Sequence, residues 1–154
     1  MNVVAAKHGT FGGDRVKMTH VQRLNAPREK VYAALLDPET LKACVEGCES
    51  LTPSGPDGFD AVLRFGLVTL KGRVEILDRM PPESLTLKIE GKGLPGSARS
   101  TARIFLTEKD GGTELVGEGE LTVGGLLAAA GPALIDETAR RLLSDFYAKL
   151  AARL

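Results

Sequence analysis

The last thirty residues of the chain, 125–154, constrain the fold most, because they favour one long amphipathic helix. Apolar residues recur every three or four positions from Leu134 to Leu150, which places one apolar stripe along a single helix face. At 1.5 Å per residue such a helix would reach about 40 Å, enough to cross a small domain. The preceding residues are therefore expected to fold around it.

Charged residues occupy the opposite face of this helix. They fall four positions apart with the acidic residue first, which is the favourable order for ion pairs on a helix. The three predicted pairs are Asp136–Arg140, Glu137–Arg141 and Asp145–Lys149.

The start of the helix is unusual, because residues 123–135 carry no charge. Pro132 should kink or interrupt the helix within this stretch. A piece that is apolar on all sides must be buried, lie against a ligand, or contact a membrane or a partner. Burial is the expected arrangement, and a portal for an apolar ligand near Leu126 and Leu127 is the alternative.

Residues 15–124 predict a run of about seven antiparallel strands with two short helices after the first strand. Period-two alternation marks the strands, and glycine- and proline-rich turns separate them. A strand, two helices, a strand meander and a long helix indicate an α+β fold with one apolar sheet face free for the helix. We expect one domain over residues 15–154, preceded by a loose glycine-containing arm at residues 1–14.

Composition narrows the function classes. The 154 residues carry 20 basic and 20 acidic side chains, and this balance argues against nucleic acid as a partner. Two cysteines without a secretory signal indicate a cytoplasmic setting. No segment reaches the roughly 20 apolar residues that span a membrane.

Several inward-facing positions of the predicted sheet hold small residues, namely Gly72, Ala102, Gly117 and Gly119. A sheet and helix that close over small side chains can leave an apolar cavity. Glycine also lets strands bend sharply around a helix. Both interpretations leave the same pattern in the sequence, so both stay open at this point.

Other motifs indicate little chemistry. Residues 91–96 match G-x-G-x-x-G by letter, but a strand pattern follows instead of a helix, which favours a turn. Cys44 and Cys48 lack two further metal ligands of suitable spacing, so we interpret them as small buried hydrophobic residues. His20 shares a strand face with Gln22 and is the first candidate if the protein is an enzyme. We predict no catalytic residue, no metal and no cofactor.

If a cavity exists, its wall should come from inward strand residues and from the apolar helix face. The predicted lining residues are Met18, His20, Phe59, Leu63, Phe65, Leu70, Val74, Leu87, Ile89, Ala102, Ile104, Gly117, Gly119, Leu127, Leu134, Ile135, Thr138, Leu142 and Phe146.

The sequence also resembles a known family. The segments QRLNAPREKVYAALLDPETLKACVEGCESL, FDAVLRFGLVTLKGRVEI, GKGLPGSA and VGGLLAAAGPALIDETARRLLSDFYAKL are similar, in this order, to the carbon monoxide dehydrogenase CoxG-like family. That family lies within the polyketide cyclase/START/Bet v 1-like (SRPBCC) superfamily. The pair Val45-Glu46 departs from the family pattern, in which isoleucine-proline is commoner.

The resemblance implies a helix-grip fold, in which a curved antiparallel sheet surrounds the C-terminal helix with a hydrophobic cavity between them. It also implies an accessory role beside a carbon monoxide dehydrogenase-type molybdenum hydroxylase, linking that enzyme to the membrane or its quinone pool. The expected protein is a non-catalytic carrier of a quinone or lipid, cytoplasmic or peripheral at the inner face of the membrane. The alternatives are a cyclase- or hydrolase-like enzyme on the same fold and a protein-docking module.

Overall fold

The computed structural model describes residues 2–8 and 15–154, the former by their backbone only. Eight strands, three α-helices and one short 3-10 helix follow each other along the chain. They are β1 (Asn2–His8), β2 (Arg15–Leu24), α1 (Arg28–Leu36), α2 (Pro38–Cys44), β3 (Cys48–Pro53), β4 (Gly58–Phe65), β5 (Val68–Met80), β6 (Ser84–Gly93), β7 (Gly96–Lys109), β8 (Gly112–Gly124), the 3-10 helix (Gly125–Ala130) and α3 (Pro132–Ala152).

All eight strands form one antiparallel sheet in the order β1-β2-β8-β7-β6-β5-β4-β3. Strands β2 to β8 are the seven strands that alternation predicted, and α1 and α2 follow the first of them as expected. The sheet curves around α3, so the helix-grip fold is confirmed.

The N-terminal arm differs from the prediction of a loose segment. Residues Asn2–His8 form a strand that pairs antiparallel with β2, from Asn2 opposite Val21 to His8 opposite Val16. β2 would otherwise expose a free edge of backbone donors and acceptors, and the β-branched Val3 and Val4 suit a strand. Residues 1 and 9–14 of the predicted arm lie outside the described residues.

The two short helices close one end of the sheet over the main core. Val31, Tyr32 and Leu35 of α1 are buried in the same cluster as Leu85 and Leu106 of the sheet. The Tyr32 hydroxyl donates to the Ser84 carbonyl at 2.9 Å, which ties α1 to the start of β6. This end of the molecule is packed solid, and any open space must lie nearer the other end.

Pro132 ends the uncharged helical segment as predicted. Gly131 adopts φ 93°, a left-handed conformation that favours glycine, and Pro132 then occupies the first turn of α3. The expected burial of residues 123–135 is wrong for most of this stretch. The 3-10 helix buries none of its residues, and Leu126 and Leu134 are 75% and 53% exposed. Its apolar side chains instead surround the space between α3 and the sheet.

The glycine-rich match at residues 91–96 is a turn, as predicted. β6 ends at Gly93 and β7 begins at Gly96, with Leu94 and Pro95 at the tip of the hairpin. The 3-10 helix packs against this tip, since the Leu127 amide donates to the Pro95 carbonyl at 2.8 Å. Among the helices in the described residues, none is long and apolar enough to cross a membrane.

Candidate functional site

A cavity of about 450 Å³ lies between the inner face of the sheet and α3. Its wall is almost entirely apolar. Met18 and Leu121 form one side, Leu70 and Leu87 the floor, and Leu142 and Phe146 of α3 the roof. A hollow of this size and lining suits a small apolar molecule.

Most of the residues predicted to line a cavity do so. These are Met18, Leu63, Phe65, Leu70, Leu87, Ile89, Ala102, Gly119, Leu127, Leu134, Ile135, Thr138, Leu142 and Phe146. His20, Phe59, Val74, Ile104 and Gly117 do not line it, and for them the prediction is wrong. They lie on the correct sheet face but nearer the solid end, where the core fills the space.

Tyr147 separates these two regions. Its ring stacks on the His20 ring, with centroids 4.5 Å apart and planes 12° apart, and it meets Phe146 edge-on at 5.1 Å. Tyr147 is 1% exposed and also forms part of the cavity wall. It therefore covers His20, and the proposed catalytic candidate does not reach the cavity.

The small inward residues have three different roles. A side chain at Gly72 would collide with the Glu90 backbone on the neighbouring strand, so that glycine permits close approach of two strands. A side chain at Gly117 would meet the Tyr147 hydroxyl. At Gly119 the nearest atoms to an added Cβ are 3.8 and 3.9 Å away. Bending and cavity formation, which the sequence left open, thus occur at different positions.

His20 is held neutral by its surroundings. Its Nε2–H donates to the Gln22 Oε1 at 3.0 Å, while its Nδ1 has no hydrogen-bond partner among the described residues. Burial lowers the pKa of His20 below its ordinary value of 6.5, and the Gln22 hydrogen bond only partly opposes this.

We expect the free energy of unfolding to fall as the pH drops below 6.5. A lowered folded-state pKa means that the unfolded chain binds the proton first, so stability is complete above pH 6.5 and decreases down to the folded-state pKa. The His20 contribution to the slope cannot exceed about 1.4 kcal/mol per pH unit. Urea unfolding of wild type and His20→Phe at several pH values checks this, and equal slopes above about pH 5 would contradict it.

The charged residues of the cavity lie at its edges. Arg141 of α3 and Glu46, in the turn between α2 and β3, form an ion pair with Nη1 2.8 and 3.0 Å from the two carboxylate oxygens. Glu120 pairs with Arg15, whose guanidinium lowers the pKa of that carboxyl. Ser100 and Thr138 add neutral hydroxyl groups.

One of the three predicted helix ion pairs is wrong. Asp136–Arg140 and Asp145–Lys149 form at 3.0 and 2.8 Å, but Arg141 pairs with Glu46 instead of Glu137. Arg141 reaches a partner 95 residues away in sequence because the apolar face of α3 turns it toward the cavity edge.

Sequence reasoning also missed part of the cavity wall. The missed residues are Val16, Val45, Glu46, Val68, Gly91, Ala98, Arg99, Ser100, Glu120, Leu121, Val123, Ala130, Ala139, Arg141, Leu143 and Tyr147. Ile135, Ala139, Leu143 and Tyr147 recur every four positions, a spacing that would have identified the buried side of α3.

The two cysteines are free thiols. Cys44 is fully buried, as predicted, whereas Cys48 is half-buried and its Sγ–H donates to the Ser50 carbonyl at 3.5 Å. Burial raises the pKa of both thiols. Within residues 15–154, no group of three or more histidine, cysteine, aspartate or glutamate side chains is arranged to hold a metal ion.

Fold and cavity together define the class of protein. Solved structures with the same fold include a conserved protein from Geobacillus kaustophilus, 31% identical with a TM-score of 0.83 over 89% of this chain and 93% of that one. Protein Ms6760 from Mycobacterium smegmatis is 19% identical, with a TM-score of 0.66 over 98% of this chain and 96% of that one. The aromatase/cyclase di-domain protein BexL of the BE-7585A biosynthetic pathway is 19% identical, with a TM-score of 0.63 over 93% of this chain and 51% of that one. The chain is thus a helix-grip protein of the Bet v 1-like superfamily, with a fold suited to binding a ligand.

Within this class, the model of the carbon monoxide dehydrogenase CoxG family matches residues 21–154. The chain belongs to the CoxG family. A comparison with curated proteins gives no match.

Proposed function

We propose that this protein carries an apolar small molecule, a quinone or a lipid, in the cavity between α3 and the sheet. The hollow itself is the observation that carries the proposal. Solid packing would bring α3 onto the sheet at Ala102 and Gly119, yet both residues face open space. Leaving apolar side chains around an empty space costs contact energy, which a bound apolar molecule would restore.

Exposed leucines around the cavity support loading from a membrane. Leu67 and Leu94 are fully exposed at the tips of the β4–β5 and β6–β7 hairpins, and Leu126 and Leu134 lie beside them on the following helices. We call these four residues the leucine rim. Large side chains exposed together in this way are typical of a contact surface.

The charges near the leucine rim favour an anionic lipid surface. Lys71 and Lys92 lie directly opposite each other on β5 and β6, an unfavourable like-charge pair. Residues 64–72, 91–99 and 121–135, which form this end of the molecule, contain no acidic side chain. Lysines near an anionic membrane surface each contribute about 1 kcal/mol to binding. In this proposal the protein works at the cytoplasmic face of the membrane.

The proposal places this carrier beside a carbon monoxide dehydrogenase-type molybdenum hydroxylase. Membership of the CoxG family supports that placement, and the carried molecule would connect the hydroxylase to the membrane. Affinity purification of the tagged protein from its own cells tests the partnership. Recovery without any part of a molybdenum hydroxylase after crosslinking would contradict it.

Transfer between vesicles tests the carrier. Donor vesicles of phosphatidylcholine and phosphatidylglycerol hold either a long-tailed ubiquinone or a pyrene-labelled fatty-acid methyl ester, and acceptor vesicles hold neither. We expect the protein to accelerate transfer of at least one probe. Leu67→Asp/Leu94→Asp should slow this transfer at least about tenfold, because burying each leucine contributes roughly 1.5–3 kcal/mol to membrane contact.

Met80→Asp is the matched control, since Met80 is also exposed but lies at the opposite end of β5. It should leave transfer unchanged. Transfer of both probes at the protein-free rate would contradict the carrier proposal. Equal slowing by Met80→Asp would contradict docking through the leucine rim.

A further inference from the structure

The ion pair at the cavity edge has a fixed geometry. Arg141 Nη1 donates to both oxygens of the Glu46 carboxylate, at 2.8 and 3.0 Å. The two residues come from different elements, Arg141 from α3 and Glu46 from the turn that connects α2 to β3. Both line the cavity, so this pair is a charged part of an otherwise apolar wall.

The backbone next to Glu46 holds its carboxylate in place. Gly47 adopts φ 81°, and a side chain there would lie 2.6 Å from the Arg64 carbonyl oxygen and 2.9 Å from the Phe65 ring. The Arg64 amide donates to the Gly47 carbonyl at 2.7 Å, which fixes the turn against β4. The turn is therefore anchored to the sheet, and Glu46 meets Arg141 without reorganisation of the backbone.

The pair contributes little to folding. The Arg141 and Glu46 side chains are 57% and 34% exposed, and exposed pairs of this kind stabilise proteins by about 0–1 kcal/mol. Its main effect is on the charge that a bound molecule meets at the cavity edge.

Arg141 is the cation that α3 places on this wall, and Glu46 neutralises it. Arg99 also borders the cavity, but it is exposed and alternates outward between Ala98 and Ser100. Glu120 is engaged by Arg15, and Lys149, another cation of α3 that acts on Glu46, pairs with Asp145. Among the residues that the structure describes, a carboxylate inside the cavity would therefore find no free counter-ion and would face the negative charge of Glu46.

Burying a carboxylate without a partner is costly, whereas a ketone, ester or hydroxyl group loses much less on leaving water. We propose that the Glu46–Arg141 pair makes the cavity select uncharged apolar molecules over apolar molecules that end in a carboxylate. Glu46 acts as the specificity-determining residue by occupying the cation that an acidic ligand would need. This inference rests on the proposed binding of an apolar molecule.

A matched pair of probes tests the selection. An anthroyloxy-labelled stearic acid and its methyl ester differ only in charge, and their Kd values are measured by fluorescence at a pH where the acid is ionised. Wild type should bind the ester at least about tenfold more tightly than the acid. In Glu46→Gln, Arg141 is free to pair with the acid, so the Kd of the acid should fall about tenfold while that of the ester stays the same.

Two further variants keep the test independent of folding. Arg141→Gln leaves the Glu46 charge without its partner, so binding of the acid should weaken further and binding of the ester should not change. Asp145→Asn removes the acidic member of another exposed pair on α3, outside the cavity wall, and should leave the ratio of the two Kd values at the wild-type value. Thermal unfolding of each variant confirms that it is folded.

The possible outcomes separate the two proposals. Equal binding of acid and ester by wild type would overturn the selection and leave the carrier proposal standing. An unchanged ratio in both folded Glu46→Gln and folded Arg141→Gln would overturn the role of the pair. Binding of neither probe by wild type would overturn both proposals.

Discussion

Gly117→Ala should destabilise the protein by about 2 kcal/mol, the cost of one methyl group too many in a filled core. The added Cβ would meet the Tyr147 hydroxyl and lie 2.9 Å from Tyr147 Cζ. The Tyr147 ring cannot move aside, since it is buried between the His20 and Phe146 rings. For a chain of this size the thermal midpoint should fall by about 4–8 °C.

Gly119→Ala is the control for this change, two positions along the same strand and on the same face. Its Cβ would have no neighbour closer than 3.8 Å, so it should be neutral or should stabilise by up to about 1 kcal/mol as the strand loses a glycine. Adding Tyr147→Phe to Gly117→Ala removes the colliding hydroxyl and should restore most of the stability. Equal midpoints for the two alanine variants would contradict the packing described around Tyr147.

Gly119→Leu should weaken binding of an apolar molecule at least about tenfold while leaving the fold intact. Gly119 lies in the cavity wall between Met18 and Ala102 on the neighbouring strands. A leucine there would extend into the open space and occupy the volume that the ligand needs. Because the side chain enters an existing hollow, we expect no loss of stability.

The anthroyloxy-labelled methyl ester measures this effect by fluorescence titration of the two Gly119 variants. Gly119→Ala adds a single methyl group and should bind nearly as tightly as wild type. Wild-type affinity in a folded Gly119→Leu protein would show that the ligand does not occupy the space described here.

Local patterns in the sequence predicted most of the fold. Alternation along β2 placed Met18 and His20 on the inner face, and Pro132 marked the start of α3. Both features depend on near neighbours in the chain, such as side-chain direction in a strand or the missing amide of proline. The strand at Asn2–His8 was missed because its formation depends on the free edge of β2 and not on its own short pattern.

The cavity wall was predicted in part, for a related physical reason. Alternation shows which face a residue points to but not where along that face the packing stops, so His20 and Ile104 were placed in the cavity although the core encloses them. The side chain that sets this boundary, Tyr147, comes from α3, and its position depends on contacts with β2 and β8. The same applies to Arg141, whose partner Glu46 is brought near only by the complete fold.

The uncharged stretch before α3 shows how a local rule can be correct while its default outcome fails. Apolar residues on all sides of a helix do require a contact, and the core is the usual one. Here the 3-10 helix contributes Leu127 to the cavity wall and leaves Leu126 exposed beside it. The segment therefore faces a hollow on one side and its surroundings on the other, an arrangement that suits passage of an apolar molecule.

The central claim is that the space between α3 and the sheet holds an apolar molecule. Native mass spectrometry of the protein purified from its own cells without detergent, followed by solvent extraction, tests it directly. The account predicts an added mass on wild type that is recovered in the organic extract as an uncharged apolar compound and that is absent from Gly119→Leu. Wild type that carries no such compound, and acquires none from vesicles that contain quinone or lipid ester, would contradict it.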